Sequence, residues 1–316
     1  MVVNKDNFTV VCVGSNIESM VCLQKFRQKN IPVSGLVTLP FKEQKRGSDY
    51  RDLTSFCNEN KIPFFRTNNI NSTKTKDWLK DINPDVIFIL GWSQIFDEEL
   101  IDLPKKYIIG SHPSDLPYGA GRAPVVWTIL EDLRKSAVSF FKINKEVDAG
   151  NLVFQKHFHI PERADSTLLY NLVALNLSEG FVEIYKQIQS NTLSEQKQDM
   201  SRRTVRPKRI FEDGKIDFNK TANEIDRLIR ATTEPYPAAF SFYKGERYSI
   251  WKSELSNFIS SKEQIGELLE IKNDRILVQC FESILWIYDI TDFSGNTTSS
   301  NIFEIGEQFD LNLSHK

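Results

Sequence analysis

The sequence predicts an α/β protein whose amino-terminal part is a doubly wound, mostly parallel sheet. Residues 8–14 form an apolar run that ends in Gly-Ser, and residues 17–29 have helical periodicity, which is the order of a strand, a turn and a helix. Residues 85–90 form a continuous apolar run, DVIFIL, which is typical of a central strand in a parallel sheet. From about residue 266 short runs alternate at strand spacing, which predicts a smaller, β-rich carboxyl-terminal domain of the open-barrel type.

The other elements of the amino-terminal part follow in the order that a Rossmann-like sheet requires. Further strands are expected at residues 33–38, 62–66, 107–109, 137–143 and 152–160, and further helices around Phe56, over 74–80, from Pro124 and over 165–188. The turn at residues 14–19 lacks the second and third glycines of a pyrophosphate-binding loop, so binding of NAD or FAD is disfavoured. Polar residues 190–199 predict a hinge, which gives a catalytic domain over 1–200 and a carboxyl-terminal domain over 201–316.

Composition and charge exclude several classes of protein. The 316 residues carry a net charge of −2, so no strong overall field attracts nucleic acid or anionic lipid. No segment reaches the roughly 18 apolar residues of a membrane span, and we expect a cytoplasmic protein. The four cysteines lack Cys-x-x-Cys spacing and are interpreted as reduced core thiols. His157 and His159 stand at strand spacing, but no acidic or cysteine ligand is close in sequence, so no metal is expected.

The stretch from residue 107 to 152 contains the best candidate catalytic pair. His112 follows an apolar run and would lie at the carboxyl end of a strand, where open α/β sheets bind their ligands. A loop rich in proline and glycine follows, and the strand after it leads into Asp148, which we expect near His112. A carboxylate beside an imidazole orients it and favours its charged form. Each residue also has a purely structural interpretation, His112 as a hydrogen-bonded loop residue and Asp148 as a turn residue.

Three motifs of this stretch stand in a specific order and spacing: HPSDLP at 112–117, Gly-x-Gly-Arg-x-Pro-x-x-Trp at 119–127 and VDAG at 147–150. In this combination the chain resembles the folate-dependent formyltransferase family, over roughly residues 8 to 290. Shorter segments are similar to the branch of that family that acts on amino sugars linked to nucleotides. These segments lie at residues 47–50, 91–93, 212–217, 229–231 and 235–240.

The resemblance implies a donor, an acceptor and a set of site residues. It implies 10-formyltetrahydrofolate as co-substrate and a primary amine as acceptor, and no metal is expected. The acceptor is expected to be a small amino sugar linked to a nucleotide rather than a nucleic acid. His112 and Asp148 match the catalytic His and Asp of the family. The pterin is expected beside Leu90, Gly91, Trp92 and Val147, although Trp92 could instead be a core aromatic residue. The basic run at residues 202–209 is interpreted as a solvated face.

Gly110 departs from the family pattern, because it stands where the resemblance implies an Asn that donates to the developing oxyanion. The substitute could be the hydroxyl of Ser111, a backbone amide or His112 as imidazolium; Ser111 should point to the opposite face of the sheet. Arg122 is a candidate partner for a diphosphate, or it pins the loop through backbone carbonyls. Three alternatives stay open: a methionyl-tRNA formyltransferase, a formyltetrahydrofolate hydrolase and a catalytically silent binding protein. The sequence also leaves open whether the chain forms a homodimer.

Overall fold

A computed structural model describes residues 8–41, 49–256 and 264–310 of the chain. The chain divides into two compact units that are interleaved in sequence. The first unit runs to Pro124 and continues with Lys135–His159 and Tyr170–Pro207; the second comprises Val125–Arg134, Ile160–Leu169 and the residues from Lys208 onward. Among the described residues, no helix combines the length and apolar character that crossing a membrane would need.

A seven-stranded sheet forms the centre of the first unit. Across the sheet, with numbers given along the chain, the strands are β3 Phe64–Arg66, β2 Gly35–Thr38, β1 Val10–Val13, β4 Val86–Ile89, β5 Tyr107–His112, β7 Lys135–Lys142 and β8 Leu152–His159. The five strands from β3 to β5 are parallel, whereas β7 is antiparallel to β5 and β8 to β7. This confirms the doubly wound, mostly parallel sheet and the central place of β4.

Helices follow the strands along the chain. They are α1 Ile17–Gln28, α2 Thr54–Glu59, α3 Thr73–Ile82, α4 Glu98–Ile101, α5 Pro124–Leu130 and α6 Ser166–Gln189. The α1 helix begins after β1 because Asn16 caps it: the Asn16 side chain accepts a hydrogen bond from the Ser19 amide at 2.9 Å. The turn therefore takes a side-chain cap where a dinucleotide-binding loop would have glycines.

Aromatic packing attaches α1 and α6 to one face of the sheet. Phe88 of β4 lies 6.0 Å from Phe26 of α1 and 4.9 Å from Phe181 of α6, between ring centroids. Gly180 lets α6 approach this closely, because a Cβ there would lie 2.2 Å from the ring of Phe140 on β7. On another apolar cluster of the sheet, buried Leu79 of α3 packs with residues of β1, β2, β4 and β5. The buried sheet is thus covered by helices, as a parallel sheet requires.

The second unit contains a five-stranded antiparallel sheet in the order β10-β11-β14-β13-β12. Its elements are α7 Ala222–Thr232, β10 Ala239–Tyr243, β11 Glu246–Leu255, β12 Leu268–Lys272, β13 Arg275–Cys280 and β14 Ser283–Thr291. A segment near the end of the described chain links the two edge strands: the Asp310 amide donates to the Phe242 carbonyl and the Leu268 amide to the Glu307 carbonyl, at 2.8 and 2.9 Å. This agrees with the predicted small β domain of the open-barrel type.

Candidate active site

His112 is the last residue of β5 and its side chain is buried, with 6% of the residue exposed. Its Nε2 atom lies 2.9 Å from the carbonyl oxygen of Gly119, in the loop that follows the strand. Because a carbonyl can only accept, Nε2 must carry the proton of this hydrogen bond. Its Nδ1 atom lies 3.7 Å from Oδ2 of Asp148. The structure therefore brings the two predicted catalytic residues together.

Burial lowers the pKa of His112 below its ordinary value. Asp148 and the hydrogen bond to Gly119 raise this pKa, and the positive charges of Arg206 and Arg203 lower it further. Asp148 therefore favours the charged form, as expected, but desolvation outweighs it and keeps the pKa of His112 below its ordinary value. A neutral ring protonated on Nε2 leaves Nδ1 as the atom that can accept a proton, and Asp148 would then stabilise the new charge.

Asp148 reaches His112 through the connection that follows β7. Because β7 is antiparallel to β5, the carboxyl end of β7 lies beside the first half of β5, with Lys142 opposite Ile109. The connection over residues 143–151 returns along β5 and carries Asp148 back to His112. Asp148 has a left-handed backbone, with φ +55°, and its Oδ2 accepts a hydrogen bond of 2.9 Å from the Gly121 amide.

The space beside Gly110 is filled by an apolar side chain. A Cβ atom at position 110 would lie 2.4 Å from Cδ1 of Ile143 and 3.6 Å from Cζ of Phe141. The volume in which the family pattern implies an amide thus belongs to Ile143. The Ser111 hydroxyl is directed to the Ile89 carbonyl of the neighbouring strand, at a long 3.5 Å, and not toward His112.

Three of the residues expected at the pterin, Leu90, Gly91 and Trp92, directly follow the carboxyl end of β4. The Leu90 amide donates to Val13, and its carbonyl accepts from Ser19, so both Leu90 backbone groups are used inside the fold. Gly91 has φ +94°. Trp92 packs against the core, and its buried Nε1 has no hydrogen-bond partner among the described residues. Val147 is 52% exposed. Of the expected segment at 47–50, residues 47 and 48 lie outside the described residues.

Two family models match most of this chain: "Formyl transferase" over residues 3–184 and "Formyl transferase, C-terminal domain" over residues 210–304. The chain belongs to the formyl transferase family. It is therefore an enzyme that transfers formyl groups, as the resemblance implied.

Individual relatives of this formyltransferase come from more than one branch. It is 27% identical to the methionyl-tRNA formyltransferase of Clostridioides difficile over 89% of this chain and 91% of that one. Its fold is similar to that of an N-formyltransferase from Helicobacter canadensis in complex with folinic acid and dTDP-3-aminofucose, with a TM-score of 0.68, 21% identity and coverage of 89% and 98%. It is also similar to the methionyl-tRNA formyltransferase of Clostridium thermocellum, with a TM-score of 0.57, 20% identity and coverage of 79% and 94%.

Most of the basic run at residues 202–209 is exposed, as expected of a solvated face, but Arg206 is not. Arg206 is only 8% exposed and belongs to β9 Val205–Arg206, which pairs with β6 Ala120–Gly121 in the loop after His112. A Cβ atom on Gly121 would lie 2.4 Å from the Arg206 carbonyl oxygen, so glycine permits this pairing. The β-branched pair before Arg206, Thr204 and Val205, was the signal in the sequence for a strand within the run.

Arg122 is exposed, and its guanidinium makes no hydrogen bond or ion pair with the described residues. Its backbone amide, by contrast, donates to the Arg206 carbonyl at 3.1 Å. The loop is therefore held through the Arg122 backbone, and the side chain is available to a ligand.

Polar side chains away from His112 form no group of metal ligands. His157 lies 3.1 Å from Asp115, and no three or more His, Cys, Asp or Glu residues of the described chain are arranged to hold a metal ion. The four cysteines are buried and unpaired.

Proposed function

We propose that this formyltransferase transfers the formyl group of 10-formyltetrahydrofolate to the primary amine of an amino sugar linked to a nucleotide. The observation that carries the proposal is the buried His112, whose Nε2 is fixed by Gly119 and whose Nδ1 lies beside Asp148. This arrangement suits a proton acceptor at the carboxyl end of a sheet.

The reaction requires one proton to leave the attacking amine. The amine nitrogen attacks the formyl carbon, and a new C–N bond forms as the carbonyl becomes a tetrahedral oxyanion. His112 accepts the amine proton on Nδ1, and Asp148 stabilises the imidazolium. When the intermediate collapses, the bond from the carbon to N10 of the folate breaks and the imidazolium returns the proton to N10.

The surroundings of β4 support a reduced folate as donor. A pterin has a flat face and a hydrogen-bonding edge, which suit an aromatic wall with a few polar groups. Trp92 offers an indole face and a buried Nε1 without a partner among the described residues. The related enzyme from Helicobacter canadensis was solved with folinic acid, which is a formylated reduced folate.

The acceptor class is supported by the sequence and by Arg122. The short segments at 91–93, 212–217 and 235–240 are similar to the amino-sugar branch. The free guanidinium of Arg122 follows Gly121, whose amide holds Asp148, and a guanidinium binds phosphate oxygens in a bidentate manner. A second candidate, formylation of methionyl-tRNA, is favoured by the 27% identity with the Clostridioides difficile enzyme.

The proposal is tested by following release of tetrahydrofolate with a panel of acceptors. Nucleotide-linked 3- and 4-amino sugars should give turnover, whereas methionyl-tRNA and a reaction without amine should not. Arg122→Ala should raise the KM of the sugar about tenfold with little change in kcat, because it removes binding energy shared by ground and transition state. The matched control is Lys197→Ala, which removes an exposed charge that makes no hydrogen bond or ion pair with the described residues. Turnover with tRNA alone would support the second candidate, turnover without amine a hydrolase, and no turnover at all a silent binding protein.

A further inference from the structure

Residues 198–206, which we call the clasp, make hydrogen bonds to the turn that carries Asp148. The side-chain amide of Gln198 donates to the carbonyls of Asp148 and Gly150 at 3.0 and 2.8 Å. The guanidinium of Arg203 donates to the carbonyls of Val147 and Asp148 at 2.8 and 3.2 Å. Two side chains of the clasp thus bind three carbonyls of one short turn.

The clasp also holds the loop whose Gly119 carbonyl binds His112. The Gly119 amide donates to the Thr204 hydroxyl at 2.8 Å, and the Ala120 amide donates to the Thr204 carbonyl at 3.0 Å. The Thr204 amide in turn donates to the Pro117 carbonyl at 3.2 Å. A single segment therefore anchors both groups that flank the imidazole, Gly119 at Nε2 and Asp148 at Nδ1.

The Asp148 turn needs an external anchor for a physical reason. A left-handed backbone is less favourable than a right-handed one for a residue with a Cβ atom, so hydrogen bonds to the carbonyls of the Asp148 turn stabilise its conformation. Gln198 is suited to this task because it is 4% exposed, so its amide makes these hydrogen bonds away from water.

We propose that Gln198 and Arg203 are positioning residues, which hold Asp148 at the distance from His112 at which the pair can accept and return a proton. The catalytic part of this proposal rests on the proposed function, whereas the geometric part does not. Neither residue is assigned a contact with the donor or the acceptor.

The geometric part is tested by NMR titration of His112, with its signal assigned by comparison with His112→Ala. The charged groups that face its ring are Asp148, Arg206 and Arg203. Gln198→Ala and Arg203→Lys both preserve net charge and release the Asp148 turn. As the Asp148 carboxylate moves away from the ring, the midpoint of the His112 titration should fall below the wild-type midpoint, because a group that raises the His112 pKa is lost. Gln196→Ala is the matched control, since the Gln196 side chain is exposed and only its backbone makes hydrogen bonds.

The catalytic part is tested by kcat and KM of the same variants. Misplacement of Asp148 should lower kcat about 10- to 100-fold and leave the KM of both substrates nearly unchanged. A lower melting temperature with the wild-type midpoint and kcat would show a merely structural role and overturn the proposal. A raised KM with unchanged kcat would also overturn it, because it would indicate direct contact with a substrate. If the midpoint falls but no amine is formylated, the geometric proposal stands and the proposed function fails.

Discussion

Gly110 and Ile143 are complementary residues in this site. A Cβ atom only 2.4 Å from Cδ1 of Ile143 is closer than real contacts allow, so any side chain at 110 forces Ile143 to move. Ile143 resists this movement because its amide donates to Ile108 at 3.0 Å and its side chain packs against two apolar clusters. The sequence could show that the Asn is missing. It could not show what fills the space, because the two residues meet only through the return of the loop after β7.

The first prediction follows from this complementarity. Gly110→Asn alone should not raise kcat and should lower the free energy of unfolding by about 1–3 kcal/mol, the usual cost of overpacking. Adding Ile143→Ala opens the space for the amide. The double variant should then exceed Ile143→Ala in kcat, by up to about 10²-fold if the amide reaches the oxyanion. Steady-state kinetics and denaturant unfolding of all four proteins provide the measurement.

Ile143→Ala is the control, because it has the same cavity without the amide. A kcat for Gly110→Asn above that of wild type would mean that the Ile143 side chain moves easily and leaves room for the amide beside position 110. Equal kcat values for Ile143→Ala and the double variant would mean that a side chain at 110 does not reach the reacting oxygen.

At the scale of elements, the sequence predicted most strands and helices but not strand direction. A strand that is buried on both faces gives a similar run of residues whether its neighbour is parallel or antiparallel, so nothing in residues 137–143 indicated that β7 reverses. Asp148 was nevertheless expected at the right place, since the connection after β7 returns to His112. The motif therefore predicted that Asp148 lies near His112 without predicting the direction of β7.

The first turn of α1 contains a buried acidic residue, Glu18, near the partly buried Asp49. Glu18 is 8% exposed, and burial raises its pKa to about 7, with Asp49 as the second cause. The Asn16 amide partly opposes this shift, because it donates to Glu18 and Asp49 at 3.1 and 3.2 Å. Asp49 also accepts a hydrogen bond from the hydroxyl of Tyr170. Glu18 is therefore protonated in acid and becomes a poorly solvated charge above neutral pH.

The pH dependence of stability follows from the sign of this shift. A pKa raised from 4.5 to about 7 on folding gives a stabilisation that is complete below 4.5 and is lost as the pH rises through about 7. Glu18→Gln mimics the protonated acid, so it should match wild type near pH ~4 and exceed it by up to about 3 kcal/mol near pH ~8. Urea unfolding at both pH values tests this, with the exposed Glu59→Gln as control. If the free energies of unfolding of wild type and Glu18→Gln differed by the same amount at both pH values, the raised pKa of Glu18 would be contradicted.

At the scale of the whole molecule, the sequence predicted fold class and family but not how segments combine. The order of the strands and helices and the three motifs around His112 were sufficient to predict the fold class and the family. The clasp was missed because a run of basic residues is normally solvated, and only its hydrogen bonds to two distant loops show its role. The interleaving of the units could not be predicted either. Residues 125–134 and 160–169 precede the predicted hinge in the sequence, but their contacts place them in the unit that contains the carboxyl-terminal part.

Charge distribution gives a prediction about the acceptor. Recognition of tRNA requires several free cations on one surface, but the molecule has a net charge of −2, and four arginines of its densest basic run already make hydrogen bonds within the protein. These are the side chains of Arg202, Arg203, Arg206 and Arg209. The acceptor contacts should therefore involve only the one or two phosphates that a nucleotide sugar presents.

Few phosphate contacts imply a shallow dependence on salt. Between roughly 50 and 200 mM salt, binding through one or two phosphates weakens by about tenfold or less, whereas six to ten contacts weaken it by about 10³- to 10⁵-fold. We expect the KM of the acceptor to rise within the smaller range, with kcat little changed. Activity with excess acceptor at each salt concentration controls for effects on the fold and on the donor. A steep loss that appears only at low acceptor concentration would mean that a polyanion binds through many cations, and it would favour the tRNA alternative.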